Sequence, residues 1–130
     1  DSPDATTDEF LWTVAVARLI LGPGANLQVP PNLSAETYQI YLDAGINDWG
    51  GVSPLTIDFV NPEAPWPALT ELKTKTEAAG FQLRPRLPVY PEYFLDTKEF
   101  LPDALHRKVT ALADAEGYVK GGMQRYAREN

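Results

Sequence analysis

The chain has 130 residues, 44% of them hydrophobic and 11% aromatic, enough for one ordinary domain with a real core. Its net charge of -7 leaves no basic stripe to neutralise phosphates, which argues against nucleic acid as a partner. The absence of cysteine excludes disulfides, thiolate nucleophiles, cysteine-ligated zinc and a self-contained iron–sulfur site, and a single histidine, His106, rules out a multi-histidine metal centre.

Asp1 to Glu9 has neither the basic start nor the apolar centre of a signal peptide. Phe10, Val14, Ala17 and Leu21 then repeat at helical spacing, which predicts a helix over 8–21, begun by Thr6 or Thr7 and stopped by Gly22-Pro23-Gly24. Its greasiest stretch, Val14 to Leu21, contains Arg18 and falls short of the about 18 apolar residues that span a bilayer. Ala25 to Val29 reads as a short buried strand ended by Pro30-Pro31, and Ser34 as the cap of a helix over 35–44 that stops at Gly45. Ile46 to Val52 reads as a second strand, whose Gly50-Gly51 end lets the backbone approach something bulky.

A proline-rich loop, Ser53 to Pro65, leads to a helix in which Pro67 takes the first position and Leu69, Leu72 and Thr76 repeat until Gly80. Phe81 to Leu87 predicts a third strand near a sheet edge; Pro102 to Ala115 a fourth helix, with Leu105, Val109 and Leu112 on one face; and Glu116 to Asn130 a polar tail. Helices alternating with strands indicate an α/β protein with parallel strands, and so few strands indicate part of a larger sheet or barrel whose open edges promote self-association.

In such an architecture sites form at the carboxyl ends of strands. Gln28 and Asn32 stand at one such end, and Asn47, Asp48, Gly50, Gly51, Ser53 and Thr56 at the next, offering amide, hydroxyl and carboxylate groups to a heterocycle rich in donors and acceptors. The same residue types build ordinary turns, and Asp58 suits a cap or loop bond better than a general base. Arg84 and Arg86 point to one side of their strand, set either to hold an anion or to pair with the acidic surface, the second being favoured at this net charge. Tyr90-Pro91-Glu92-Tyr93 is a ring-stacking element or a rigid turn, and His106 a surface or interface residue. No residue is assigned as catalytic and none as a metal ligand.

Taken together, Gln28-Val29-Pro30-Pro31-Asn32-Leu33, Ala44 to Thr56 with its Asn47-Asp48-Trp49-Gly50-Gly51-Val52-Ser53-Pro54-Leu55-Thr56 core, Val60-Asn61-Pro62-Glu63, Pro65-Trp66-Pro67, Arg86-Leu87 and Tyr90-Pro91-Glu92-Tyr93 resemble the deazaflavin (FO) synthase family, whose product is the chromophore of coenzyme F420. The resemblance covers about Phe10 to Tyr93, and Trp49 favours the half that closes the deazaflavin ring with loss of ammonia over the half that couples a tyrosine-derived fragment to a ribityl-bearing diaminouracil.

The resemblance implies a radical S-adenosylmethionine (β/α) barrel, complete or partial, of TIM-barrel type, with lyase and transferase chemistry. Residues 1–101 would be its carboxy-terminal strands and helices and residues 102–130 a helical extension. It implies a 4Fe-4S cluster and S-adenosylmethionine in the full-length enzyme, with the cluster held by a Cys-x3-Cys-x2-Cys loop that this chain lacks. The 130 residues alone are thus expected to be inactive and to bind neither cofactor, the full enzyme taking a diaminouracil–tyrosine adduct as substrate in the cytoplasm. A cofactor-free α/β binding or interaction module is the alternative; a sibling radical enzyme of the menaquinone or thiazole type shares the barrel but does not explain the Trp49 to Thr56 run.

Overall fold

The computed structural model describes residues 4–53, 55–97 and 99–122. The chain divides into two compact units, one ending at Gln82 and the other beginning at Leu83.

The first unit opens with helix α1, Thr7–Leu21. Thr6 caps it reciprocally: the Thr6 hydroxyl accepts from the Glu9 N–H at 3.2 Å, and the Glu9 carboxylate accepts from the Thr6 N–H at 2.8 Å. These bonds hold the Glu9 carboxyl below its usual range, the backbone N–H of Thr6 contributing most. Gly22, at φ 80°, ends the helix as expected.

The expected helix over 35–44 is mostly absent. After Pro30, a 3-10 turn spans Pro31–Ser34, and only Ile40–Asp43 forms an α-helix, α2. The hydroxyl of Ser34 lies 3.2 Å from the Tyr41 hydroxyl instead of capping a backbone N–H. The N–H groups of Ile40, Tyr41 and Leu42 bond three residues back, to Thr37, Tyr38 and Gln39. That tight winding stacks side chains three apart, and both Tyr38 and Tyr41 are fully buried.

Helix α3 runs Leu69–Ala78 and buries Leu72 and Thr76, as their spacing predicts. It starts two residues after Pro67, and Gly80 follows its end at φ 85°. The core of this unit collects Val14, Val29, Tyr38, Tyr41, Leu42, Ile46, Trp49 and Leu72. Tyr38 meets Trp49 edge-on at 5.3 Å, and Phe10 of α1 meets Tyr41 of α2 at 5.1 Å.

The second unit contains a 3-10 turn, Pro91–Tyr93, and helix α4, Asp103–Leu112. Helix α4 stops short of the expected Ala115 because the Asp114 carboxylate accepts the N–H groups of Glu116 and Tyr118 at 2.9 and 3.0 Å and folds the chain into a loop. The segment after it turns back: Arg86 pairs with Tyr118, and Ala113 with Val119, each in a single antiparallel bridge. The expected polar tail is described only as far as Gly122; residues 123–130 lie outside the described residues. Phe94, Ala113 and Val119 form the core here.

The expected α/β architecture, a portion of a radical S-adenosylmethionine (β/α) barrel with parallel strands, is therefore corrected. Among the described residues there is no strand and no sheet, only three isolated bridges. Segments 25–29 and 46–52 do run parallel where they meet, but in one rung, Gln28 with Asp48. Pro30 and Pro31 carry no N–H to extend it, and Gly50 turns away at φ 76°. Segment 81–87 is likewise no strand, being interrupted at Pro85.

Candidate functional site

The predicted residues all lie in the first unit and separate into three groups. The first surrounds the single parallel rung. The Asn47 N–H donates to the Leu27 carbonyl and the Val29 N–H to the Asp48 carbonyl, both at 3.2 Å. The Asn47 side chain completes the join: its Oδ1 accepts the Leu27 N–H at 2.8 Å, and its Nδ2 donates to Asn26 Oδ1 at 3.0 Å. The Asp48 carboxylate folds back onto the Gly50 N–H. Gln28 reaches over Gly50, its Oε1 being 3.7 Å from where a Cβ would stand, while Gly51 faces open space.

Arg18, which the sequence marked only as a charge in an apolar helix, braces this group. Its Nε donates to the Gly45 carbonyl, and one terminal nitrogen donates to the carbonyls of Gly22 and Ala25, each at 2.7 Å. A guanidinium presents its donors in a fixed planar fork, so one side chain satisfies three backbone acceptors and fixes α1 to both segments of the rung.

Asn32 forms the second group. It is 3% exposed in the 3-10 turn that follows Pro30. Its Nδ2 donates to Asp58 Oδ2 at 2.9 Å and to the Ala64 carbonyl at 3.0 Å. Asp58 also accepts the Val60 and Asn61 N–H groups at 2.9 and 3.2 Å and the Asn61 side-chain amide at 3.3 Å. The Val60 and Asn61 N–H groups are the main cause that holds the Asp58 carboxyl below the usual carboxylate range.

Ser53 and Thr56 make the third group and bond locally. The Ser53 hydroxyl accepts the Thr56 N–H at 3.1 Å and the Thr56 hydroxyl at 2.8 Å. This is the hydrogen bonding of a serine turn.

In the second unit Arg84 takes the ion-pair role, against Asp114 at 3.1 Å and Glu116, and its guanidinium stacks 3.8 Å over the Tyr118 ring. Arg86 stacks 4.3 Å over Tyr90. Tyr93 packs edge-on against Phe100, and the His106 Nε2 lies 2.8 Å from the Phe94 carbonyl.

No group of three or more metal-ligating side chains occurs among the described residues, and no described helix is long and apolar enough to cross a membrane. The donor set does not fit a thiolate-bound cluster, since the sequence offers no thiol.

No family profile and no solved structure matches the chain. Curated sequences do. The FO synthase of Streptomyces coelicolor is 56% identical over 114 residues, 88% of this chain and 13% of that protein. The 7,8-didemethyl-8-hydroxy-5-deazariboflavin synthase of Methanopyrus kandleri is 53% identical over 120 residues, 92% of this chain and 35% of that protein. The FO synthase of Mycobacterium tuberculosis is 50% identical over 113 residues, 86% of this chain and 13% of that protein. The chain therefore aligns with synthases of a deazaflavin, and spans between 13% and 35% of the length of these curated relatives. It is homologous to a segment of the FO synthase family.

Proposed function

We propose that these residues serve as the substrate-side segment of an FO synthase, in the part of the enzyme that closes the deazaflavin ring with loss of ammonia. The observation that carries this reading is the identity of 53% over 120 residues with a 7,8-didemethyl-8-hydroxy-5-deazariboflavin synthase. The full enzyme would use a 4Fe-4S cluster and S-adenosylmethionine, whose chemistry is radical generation. With no thiol in these residues the cluster's ligands must come from elsewhere in the longer enzyme, and the 130 residues alone are inactive.

What this segment supplies is a set of polar groups for the diaminouracil–tyrosine adduct: Gln28, Asn32, Asn47, Asp48, Ser53 and Thr56, with backbone approach at Gly50 and Gly51. The open space over Gly51 supports such an approach. Residues 102–130 act as an extension to this substrate-side part, and the enzyme works in the cytoplasm. The test is formation of fluorescent deazaflavin by the full-length protein, reconstituted with cluster and S-adenosylmethionine, and its loss when Asn32 or Asp48 is replaced by alanine.

A cofactor-free binding module is the second reading; the lack of cysteine does not separate it from the first, in which the cluster's ligands lie outside these residues. Binding of the adduct by the full-length protein with no deazaflavin formed would support it. Self-association of the isolated chain also stands as a proposal. The described residues offer no sheet edge, so the surface that carries it is the apolar flank of α1, where Trp12, Leu19 and Ile20 are 68%, 82% and 77% exposed.

A further inference from the structure

The Asn32 carboxamide has only one orientation that its surroundings permit. Both partners of its Nδ2, the Asp58 carboxylate and the Ala64 carbonyl, are acceptors, so a rotated amide would set oxygen against oxygen. Oδ1 is consequently the free end. It is buried, and no donor among the described residues reaches it. Folded proteins rarely leave a buried acceptor empty, because it forfeits its hydrogen bonds to water without replacement. The turn that carries it is stiff, since Pro30 and Pro31 immediately precede Asn32 and Pro31 is itself buried. Asp58 is equally fixed, its two oxygens taking donors from Val60, Asn61 and Asn32.

We infer that Asn32 is a substrate-recognition residue presenting an acceptor alone, which takes a ring N–H or amino donor of the diaminouracil, and that Asp58 is the positioning residue that sets this polarity. The inference rests on the reading of this segment as the substrate side of an FO synthase. It also accounts for an acceptor-only side chain at this place in the loop, where Asp58 holds two backbone N–H groups and the Asn32 and Asn61 amides: an asparagine at 58 could donate as well as accept, and would let the Asn32 amide turn its N–H groups toward the ligand.

The experiment uses the full-length protein without S-adenosylmethionine, so that nothing turns over, and a ribityl-bearing diaminouracil as probe. The isotope-labelled carboxamide of Asn32 is followed by magnetic resonance while affinity is measured by calorimetry. Binding is expected to move the Asn32 carbonyl resonance, and Asp58→Asn is expected to weaken binding about tenfold or more, the loss of one hydrogen bond to a buried polar group. Binding by the unaltered protein with an unmoved Asn32 resonance overturns the inference alone, even where Asp58→Asn fails to fold. Wild-type affinity in a folded Asp58→Asn protein does the same. Failure of the unaltered protein to bind the probe overturns the substrate-side reading, and this inference with it.

Discussion

The Arg18 guanidinium closes on the Gly45 carbonyl at 2.7 Å, across 27 residues of chain. Gly45 is at φ 103°, and a Cβ there would stand 2.7 Å from Arg18 Cγ, so the glycine makes room for the arginine that binds it. Arg18→Ala leaves three carbonyls to find water or nothing, and should destabilise the first unit by about 2 kcal/mol, read as a lower urea midpoint. Arg18→Lys should recover less than half, because an ammonium lacks the planar fork. Gly45→Ala should cost about 1–3 kcal/mol in backbone strain, to which the clash with Arg18 Cγ adds.

Trp49 donates its indole N–H to the Thr76 hydroxyl at 3.1 Å, and Thr76 in turn donates to the Leu72 carbonyl at 2.7 Å. Thr76→Val keeps the shape but strands a buried indole donor. A loss of about 1–3 kcal/mol is expected in chemical denaturation, with Thr76→Ser retaining most of the wild-type stability.

The Asp58 network is sensitive to acid. Its folded-state pKa lies below the unfolded value, so its contribution is fully present above the ordinary carboxylate range and is lost as pH falls through the lowered folded value. Amide exchange at Val60 and Asn61 should therefore accelerate at low pH, beyond its usual pH dependence. In Asp58→Asn that extra acid step should vanish.

Leu19 and Ile20 lie near the end of α1 with most of their surface exposed. Sedimentation of the isolated chain should show concentration-dependent association, strengthened by salt as the net charge of -7 is screened. Leu19→Lys should weaken it without unfolding the helix, since a cation suits a helix carboxyl end.

Local signals were legible where the partners were close in sequence. Thr6, one of the two residues expected to begin α1, caps it, and Gly22 and the Leu72 and Thr76 pair sit as expected; the Glu9 half of the cap lies outside that expectation. Ser34 shows the limit: it has the chemistry of a cap, but its hydroxyl meets Tyr41, and the expected helix gives way to tighter turns. The expected strands failed for a related reason. A short apolar run such as Ala25 to Val29 carries no information about how many rungs its neighbour can offer, and here Pro30 and Gly50 leave one. At the candidate site Asn32 could be picked out as a polar residue beside prolines. Its bond to Asp58, 26 residues away, and the bracing by Arg18 depend on tertiary contacts that no local pattern encodes.

The central claim, that these residues perform the substrate-side work of an FO synthase, is tested most directly by exchange. The matching 120-residue segment of the Methanopyrus kandleri synthase is replaced by this chain, and deazaflavin fluorescence is measured beside the unaltered enzyme. Formation of the deazaflavin by the hybrid, abolished by Asn32→Ala, is the predicted result. A folded hybrid that loads its cluster, cleaves S-adenosylmethionine and yet forms no deazaflavin would contradict it.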